Sequence, residues 1–316
     1  MRAWNRPLVL FTGAMILLVP LCAAGLLLDP RALGGAPIWA KPLKFSISFV
    51  LYAPTLAWMV SLVRADRAHR VASGAATVVA VASTVEMVAI VGQVLRGRAS
   101  HFDVATPFDT AVWAVMGVSI AVLWVANLVI AVVLLRERSL TPSVAWGVRL
   151  GLLVSLLGMA VAFLMTGPSG AQVAAAQAGD GMPAVGAHAV GVPDGGPGLA
   201  LLGWSTTGGD LRIGHFVGLH GLQVVPLVAL GLLLLVGRVP ALRSELVRAR
   251  LVMVAAAAWT GLTLLLTWQA LRGQPLFAPD ALTLLAAGGL VVGTMLAVSA
   301  VLARAPRPVV REAVAA

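Results

Sequence analysis

Apolar runs of about twenty residues, separated by short polar turns, set the rhythm of this chain. Eight runs, at 7–28, 43–63, 72–95, 110–135, 146–166, 213–237, 250–271 and 281–303, reach the length of about 20 residues that a helix needs to cross a bilayer. The pattern predicts an all-α polytopic membrane protein with eight transmembrane helices. Pro54 and Pro226 interrupt the second and sixth runs. The first run, ending at Leu28, is read as an uncleaved helix because it is long enough to span.

The pattern repeats. Gln93-Val94-Leu95-Arg96-Gly97 closes the third run and Gln269-Ala270-Leu271-Arg272-Gly273 closes the seventh. Each is followed by a proline and an aspartate suited to cap the next helix, Pro107 with Asp109 and Pro279 with Asp280. This echo predicts a four-plus-four duplication in parallel orientation, with repeats at 1–140 and 141–316. The loop Arg98–Asp103 is then private to the first half and the connection 167–212 to the second. In that connection, Ser169–Gly181 reads as low-complexity linker, whereas the stretch from Pro193 to Trp204 carries turn chemistry that predicts order.

Composition agrees with a bilayer, at 60% hydrophobic and 11% charged residues. A single cysteine, Cys22, excludes an internal disulfide and any multi-thiolate metal site. The net charge of +10 does not point to nucleic acid, because the basic residues are scattered through the turns rather than gathered in a patch. They orient the chain instead. With both termini on one side, that side receives 15 of the 22 Lys and Arg, including Arg307 and Arg311, and 4 acids including Glu312. The opposite side receives 7 basic residues and 7 aspartates, so the sides net 15 − 4 = +11 and 7 − 7 = 0. The positive-inside rule makes the termini, with the tail 304–316, cytoplasmic in a bacterial inner membrane, and the lipid bilayer the chain's main partner.

Four of the five histidines, His101, His188, His215 and His220, then fall on or near the outer face. The segment Trp204–Gln223, WSTTGGDLRIGHFVGLHGLQ, is the most polar entrance to any span. On a straight helix His220 lies roughly 10 Å and Gln223 roughly 15 Å below the boundary, and Glu86 of the third span lies about 13 Å down. An intramembrane carboxylate costs about 2.5–3.5 kcal/mol on insertion scales and ordinarily faces a partner inside the bundle. The shared depth predicts that Glu86 faces His220 and Gln223 as a proton-handling floor. Interhelical hydrogen bonding without further chemistry is the plainer reading of the same residues. Above them, Gln93, Arg96, His101, Asp210, Arg212, His215, Gln269 and Arg272 form a rim suited to an anionic or lipophilic small molecule. Lys41 and Lys44 belong to that rim and also suit snorkelling anchors.

His215 and His220 are about 140° apart on a regular helix, so they do not chelate one ion, and no metal site is expected. Haem is the one cofactor the pattern leaves open. The strings SHFDVATPFD and WSTTGGDLRIGHFVGLHGLQ look like segments of bacterial membrane proteins. The four-plus-four arrangement is similar in architecture to that of haem A synthases, which carry paired histidines in spans two, four, six and eight. Here only the sixth span has histidine, so that ligand set is absent and no residue role is carried over. The functions that fit are an outward-facing site that binds or redox-processes a small molecule, a proton-coupled secondary transporter, and a membrane assembly partner.

Overall fold

The computed structural model of the protein describes residues 2–305. Arg307, Arg311 and Glu312, counted above on the arginine-rich side, lie outside the described residues. Helices α1 (Arg6–Leu28), α2 (Ala40–Ser61), α3 (Asp66–Arg96) and α4 (Pro107–Arg136) form the first half. The second comprises α5 (Pro142–Val161), the short α6 (Gly170–Gln177), the pair α7 (Leu211–Leu219) and α8 (Gly221–Leu234), then α9 (Glu245–Leu271) and α10 (Ala281–Ala303). Seven of these helices are long and apolar enough to cross a membrane, or eight spans if α7 and α8 count as one. The chain therefore has the build of a multi-pass helical membrane protein. Among the described residues its strands are two antiparallel two-residue pairs, β1 (Ala32–Leu33) with β2 (Ala36–Pro37) and β3 (Ala189–Val190) with β4 (Gly209–Asp210), and isolated bridges join Asp103 to Ala184 and Gly198 to Ser205.

Helix ends follow local chemistry. Asn5 caps α1 by accepting from the Leu8 N–H at 3.1 Å, and its amide reaches across to Ser73 and Thr77 of α3. Pro107 and Pro142 occupy first-turn positions, where a missing N–H leaves no orphan. Thr106, rather than Asp109, is the N-cap of α4, and Asp280 caps α10 as the sequence suggests.

In each half the helices pack in the same order, first against second, second against third, third against fourth, and first against third. The second half packs through glycine. A Cβ added to Gly158 would collide with the backbone of Gly218 and Leu219, and one added to Gly151 would lie 2.9 Å from the Gly221 carbonyl oxygen. Such close approach replaces the hydrophobic drive that lipid removes. The main core joins the halves, with Tyr52, Leu56, Met87, Ile90 and Met116 meeting Leu152, Leu156 and Leu222.

Two expectations change. The apolar run 213–237 is not one straight helix: α7 and α8 meet at His220 with a bend of 42°. Pro226 cannot donate to the Leu222 carbonyl, which loosens the helix one turn ahead of it. The low-complexity stretch Ser169–Gly181 is not plain linker, because Ser169 and Gln172 form a capping box that starts α6.

The long connection folds back over the first half. Val104 N–H donates to Pro183 O at 2.9 Å, Val185 N–H to Phe102 O at 2.8 Å, and Ala187 N–H to Met165 O at 3.0 Å. Gly35, beside β1–β2, touches the backbone of Gly195, and Lys44 Nζ donates to Leu202 O at 2.8 Å. Loops 29–39, 97–106 and 166–210 thus make one cap over one end of the bundle.

Candidate functional site

The capped end is held by arginine–aspartate clasps. At the end of α3, Gly97 takes φ 70°, and Arg96 turns to Asp109 at 2.6 Å while stacking 4.2 Å over the Phe108 ring. Arg96 also bonds the Gln93 side-chain oxygen, and Gln93 Nε2 donates to Asp109 at 2.9 Å and Ala99 O at 3.2 Å. Arg98 spans Asp103 at 3.0 Å and Asp109 at 3.1 Å. At the end of α9, Arg272 meets Asp280 at 2.5 Å and the Trp268 ring at 4.7 Å, and Gln269 Nε2 donates to Pro275 O at 2.8 Å. Arg212 holds Asp210 at 2.6 Å and Gly203 O at 2.6 Å, and Ser205 N–H donates to Asp210 at 2.8 Å. Among the described residues Asp29, Asp103, Asp109, Asp210 and Asp280 of this end are each paired with an arginine, while Asp194 bonds the His188 ring. The arginines of that end are therefore neutralised locally, each by an aspartate beside it. Gln93, Arg96, Asp210, Arg212, Gln269 and Arg272 are engaged in the chain's own bonds.

Inside this frame the histidines converge from three segments. His101, on loop 97–106, stacks 5.5 Å from the Trp113 ring and 6.1 Å from Phe45. His188 stacks 4.8 Å from Phe102, which in turn meets Trp113 at 5.1 Å. His215 donates through Nδ1 to Gly158 O at 2.8 Å, which leaves its Nε2 as the free ring nitrogen of the neutral form. His101, His188 and His215 lie close enough to act electrostatically on one another, and Lys41 acts on His101 and His188. Burial holds His101 well below the ordinary histidine range, reinforced by Lys41, His188 and His215. Burial also lowers His188, against the opposing pull of its 2.8 Å bond to Asp194. Burial alone would raise Asp194, but the His188 ring and the N–H groups of His188 and Ala189 outweigh it and hold the carboxyl at about 2. Among the described residues no group of three or more His, Cys, Asp or Glu is arranged to hold a metal ion.

Deeper lies Glu86, only 1% exposed. Among the described residues neither of its oxygens accepts a hydrogen bond, so the bond to His220 or Gln223 anticipated from depth is not formed. His220 Nδ1 instead sits 3.4 Å from the side-chain oxygen of Gln223 in its own span, and Gln223 Nε2 is buried without a partner. The charge that acts on Glu86 is Lys41 of α2. Lys41 is thus the charge that acts on both the carboxylate and two of the histidines. Its helical phase carries the signal. Lys41 shares a stripe with Phe45, Phe49 and Tyr52, which stack on one another inside the bundle, whereas Lys44 shares one with the exposed Ile47 and Leu51. Tyr52, also passed over in the sequence, donates to Asn127 of α4 at 2.7 Å and locks α2 to α4 beneath the site.

No family model, curated protein or solved structure matches this chain.

Proposed function

We propose that the protein is a bacterial inner-membrane protein of eight spans, built as a parallel four-plus-four duplication, with its arginine-rich end in the cytoplasm and its capped end outside. The shared packing order of the halves and their matching Arg–Asp clasps support the duplication. Beneath the cap, Lys41, His101 and His215 receive a small lipophilic molecule bearing an anionic or carbonyl oxygen, and Glu86 exchanges a proton with it or with Lys41. With the arginines clasped, Lys41 is the cation left to meet such an oxygen. His220 and Gln223 contribute at the break in the sixth span rather than as direct partners of Glu86.

The observation that carries this reading is the Glu86 carboxyl, fully buried and without a hydrogen-bond partner among the described residues, with Lys41 the charge that acts on it. A buried ionisable group left unsatisfied inside a bundle marks a proton or ligand path more readily than a strut. The test is a pH-difference infrared spectrum of the purified protein. A protonated-carboxyl band should appear, vanish in Glu86→Gln and shift in Lys41→Met. A band unchanged by Glu86→Gln would sink the reading.

The break at His220 favours a second reading, a proton-coupled transporter, since discontinuous spans with mid-helix prolines build transport sites. Proton-driven uptake into proteoliposomes, lost in Glu86→Gln, would select it over a site that binds without moving its ligand.

A further inference from the structure

A groove of about 600 Å³ runs along the outer surface of the bundle between α3 and α4, far from the capped end. Val71, Gly74, Val78, Val122 and Val125 line it, and Arg70 closes one end. Apart from Arg70 the lining is entirely Gly, Ala and Val. The slot exists because side chains there are small, and a Cβ added at Gly74 meets nothing within 4 Å. From Arg70 to Val78 the helix rises about 12 Å, two turns of apolar trough below one cation.

The cations at its mouth differ from those of the capped end. There, Arg31, Arg96, Arg98, Arg212 and Arg272 each hold an aspartate. Here, among the described residues, neither Arg70, nor Arg67 one turn before it, nor Arg136 at the end of α4 is in an ion pair. A guanidinium outside any direct ion pair at the head of an apolar trough, with only the exposed Asp66 acting on it from one turn away, matches an anionic headgroup with its hydrocarbon chain. Packed helices lie about 8–10 Å apart, and the cleft between such a pair takes a chain rather than another helix.

We propose that this groove holds one acyl chain of an anionic glycerophospholipid, with Arg70 on its phosphate and Arg67 and Arg136 adding to the field. The test is native mass spectrometry of the detergent-purified protein titrated with phosphatidylglycerol and, separately, with phosphatidylcholine of the same chains. The wild type should retain phosphatidylglycerol preferentially. Arg70→Gln should weaken that binding about fivefold and leave phosphatidylcholine unchanged. Gly74→Phe, which fills the trough, should weaken both. If it lowers the thermal midpoint, Val125→Trp fills the same space from α4. Equal retention of the two lipids by the wild type, or unchanged phosphatidylglycerol binding in a folded groove-filling variant, would overturn the proposal.

Discussion

Gln93–Gly97 at the end of α3 and Gln269–Gly273 at the end of α9 both turn at a left-handed glycine, and each sends an arginine to the aspartate that opens the next helix. Their surroundings differ. The Asp109 side chain is 0% exposed and Asp280 is 42% exposed. Asp109 takes a second arginine, Arg98, which also holds Asp103 on the strip bridged to Ala184 of the long connection. Asp280 takes only Arg272 and its own helix end. The same five-residue pattern is therefore the foundation of the cap in one half and a surface helix stop in the other. Burial of the carboxylate decides what a clasp contributes: Arg96 and Arg98 stay 40% and 37% exposed, so losing Asp109 costs the interior bonds it accepts, whereas the exposed Asp280 pair is screened by water.

The largest effect that tests this contrast comes from cutting both clasps. Asp109→Ala removes the buried carboxylate that accepts from Gln93, Thr106, Arg96 and Arg98, and the thermal midpoint in detergent should fall by about 5 °C. Asp280→Ala loses a cap and an exposed pair and should cost about 2 °C. Equal losses in a fluorescence-detected melt would break the comparison.

The glycines should instead behave alike. Gly97 and Gly273 have φ of 70° and 71°, and a Cβ at either makes only ordinary contacts. Gly97→Ala and Gly273→Ala should each cost about 1 kcal/mol, the ordinary penalty of a side chain in the left-handed region. A much larger loss at Gly97 would place the difference between the halves in the backbone turn rather than in the buried ion pairs.

The spans were legible in the sequence because a bilayer demands long apolar runs, but α4, α5 and α9 begin at Pro107, Pro142 and Glu245, three to five residues before the apolar runs, because polar first turns continue the helix past the membrane-length stretch. The break at His220 was only half legible. Pro54 and Pro226 look alike in sequence, yet α2 stays continuous. The α7–α8 pair breaks where Gly218 and Gly221 let α5 press against its backbone. The site was harder to read because depth fixes height and not direction around the bundle. Counting along straight helices gives Glu86 and His220 one height, but α3 packs chiefly on α4 and α2, while α7 and α8 pack on α5 and α9. Helical phase supplies the missing direction, and on α2 it points Lys41, not Lys44, inward. The α6 helix was written in Ser169 and Gln172, two polar residues whose spacing says more than the Ala and Gly around them.

The smallest effect separates the halves by pH. The cap carries His101 and His188, both held neutral chiefly by burial, while the exposed clasp has Arg272 and Asp280. The Arg272 guanidinium keeps Asp280 ionised, well below the usual carboxylate range, so neither partner changes charge between pH 7.5 and 5.5 in this prediction. A histidine whose folded pKa is lowered binds its proton more readily unfolded, so its stabilising contribution is lost as pH falls below the ordinary value of 6.5. Asp194 works the other way. Held at about 2 against 3.8 unfolded, it keeps its contribution throughout that range and loses it only in stronger acid. Acidification from pH 7.5 to 5.5 should thus lower the midpoint by about 2 °C for each histidine that stays neutral. His188→Gln, which removes one titrating ring, should flatten the profile by its share, whereas Asp280→Asn should leave the slope as it is. A slope that responds to Asp280→Asn and ignores His188→Gln would move the pH-sensitive element out of the cap.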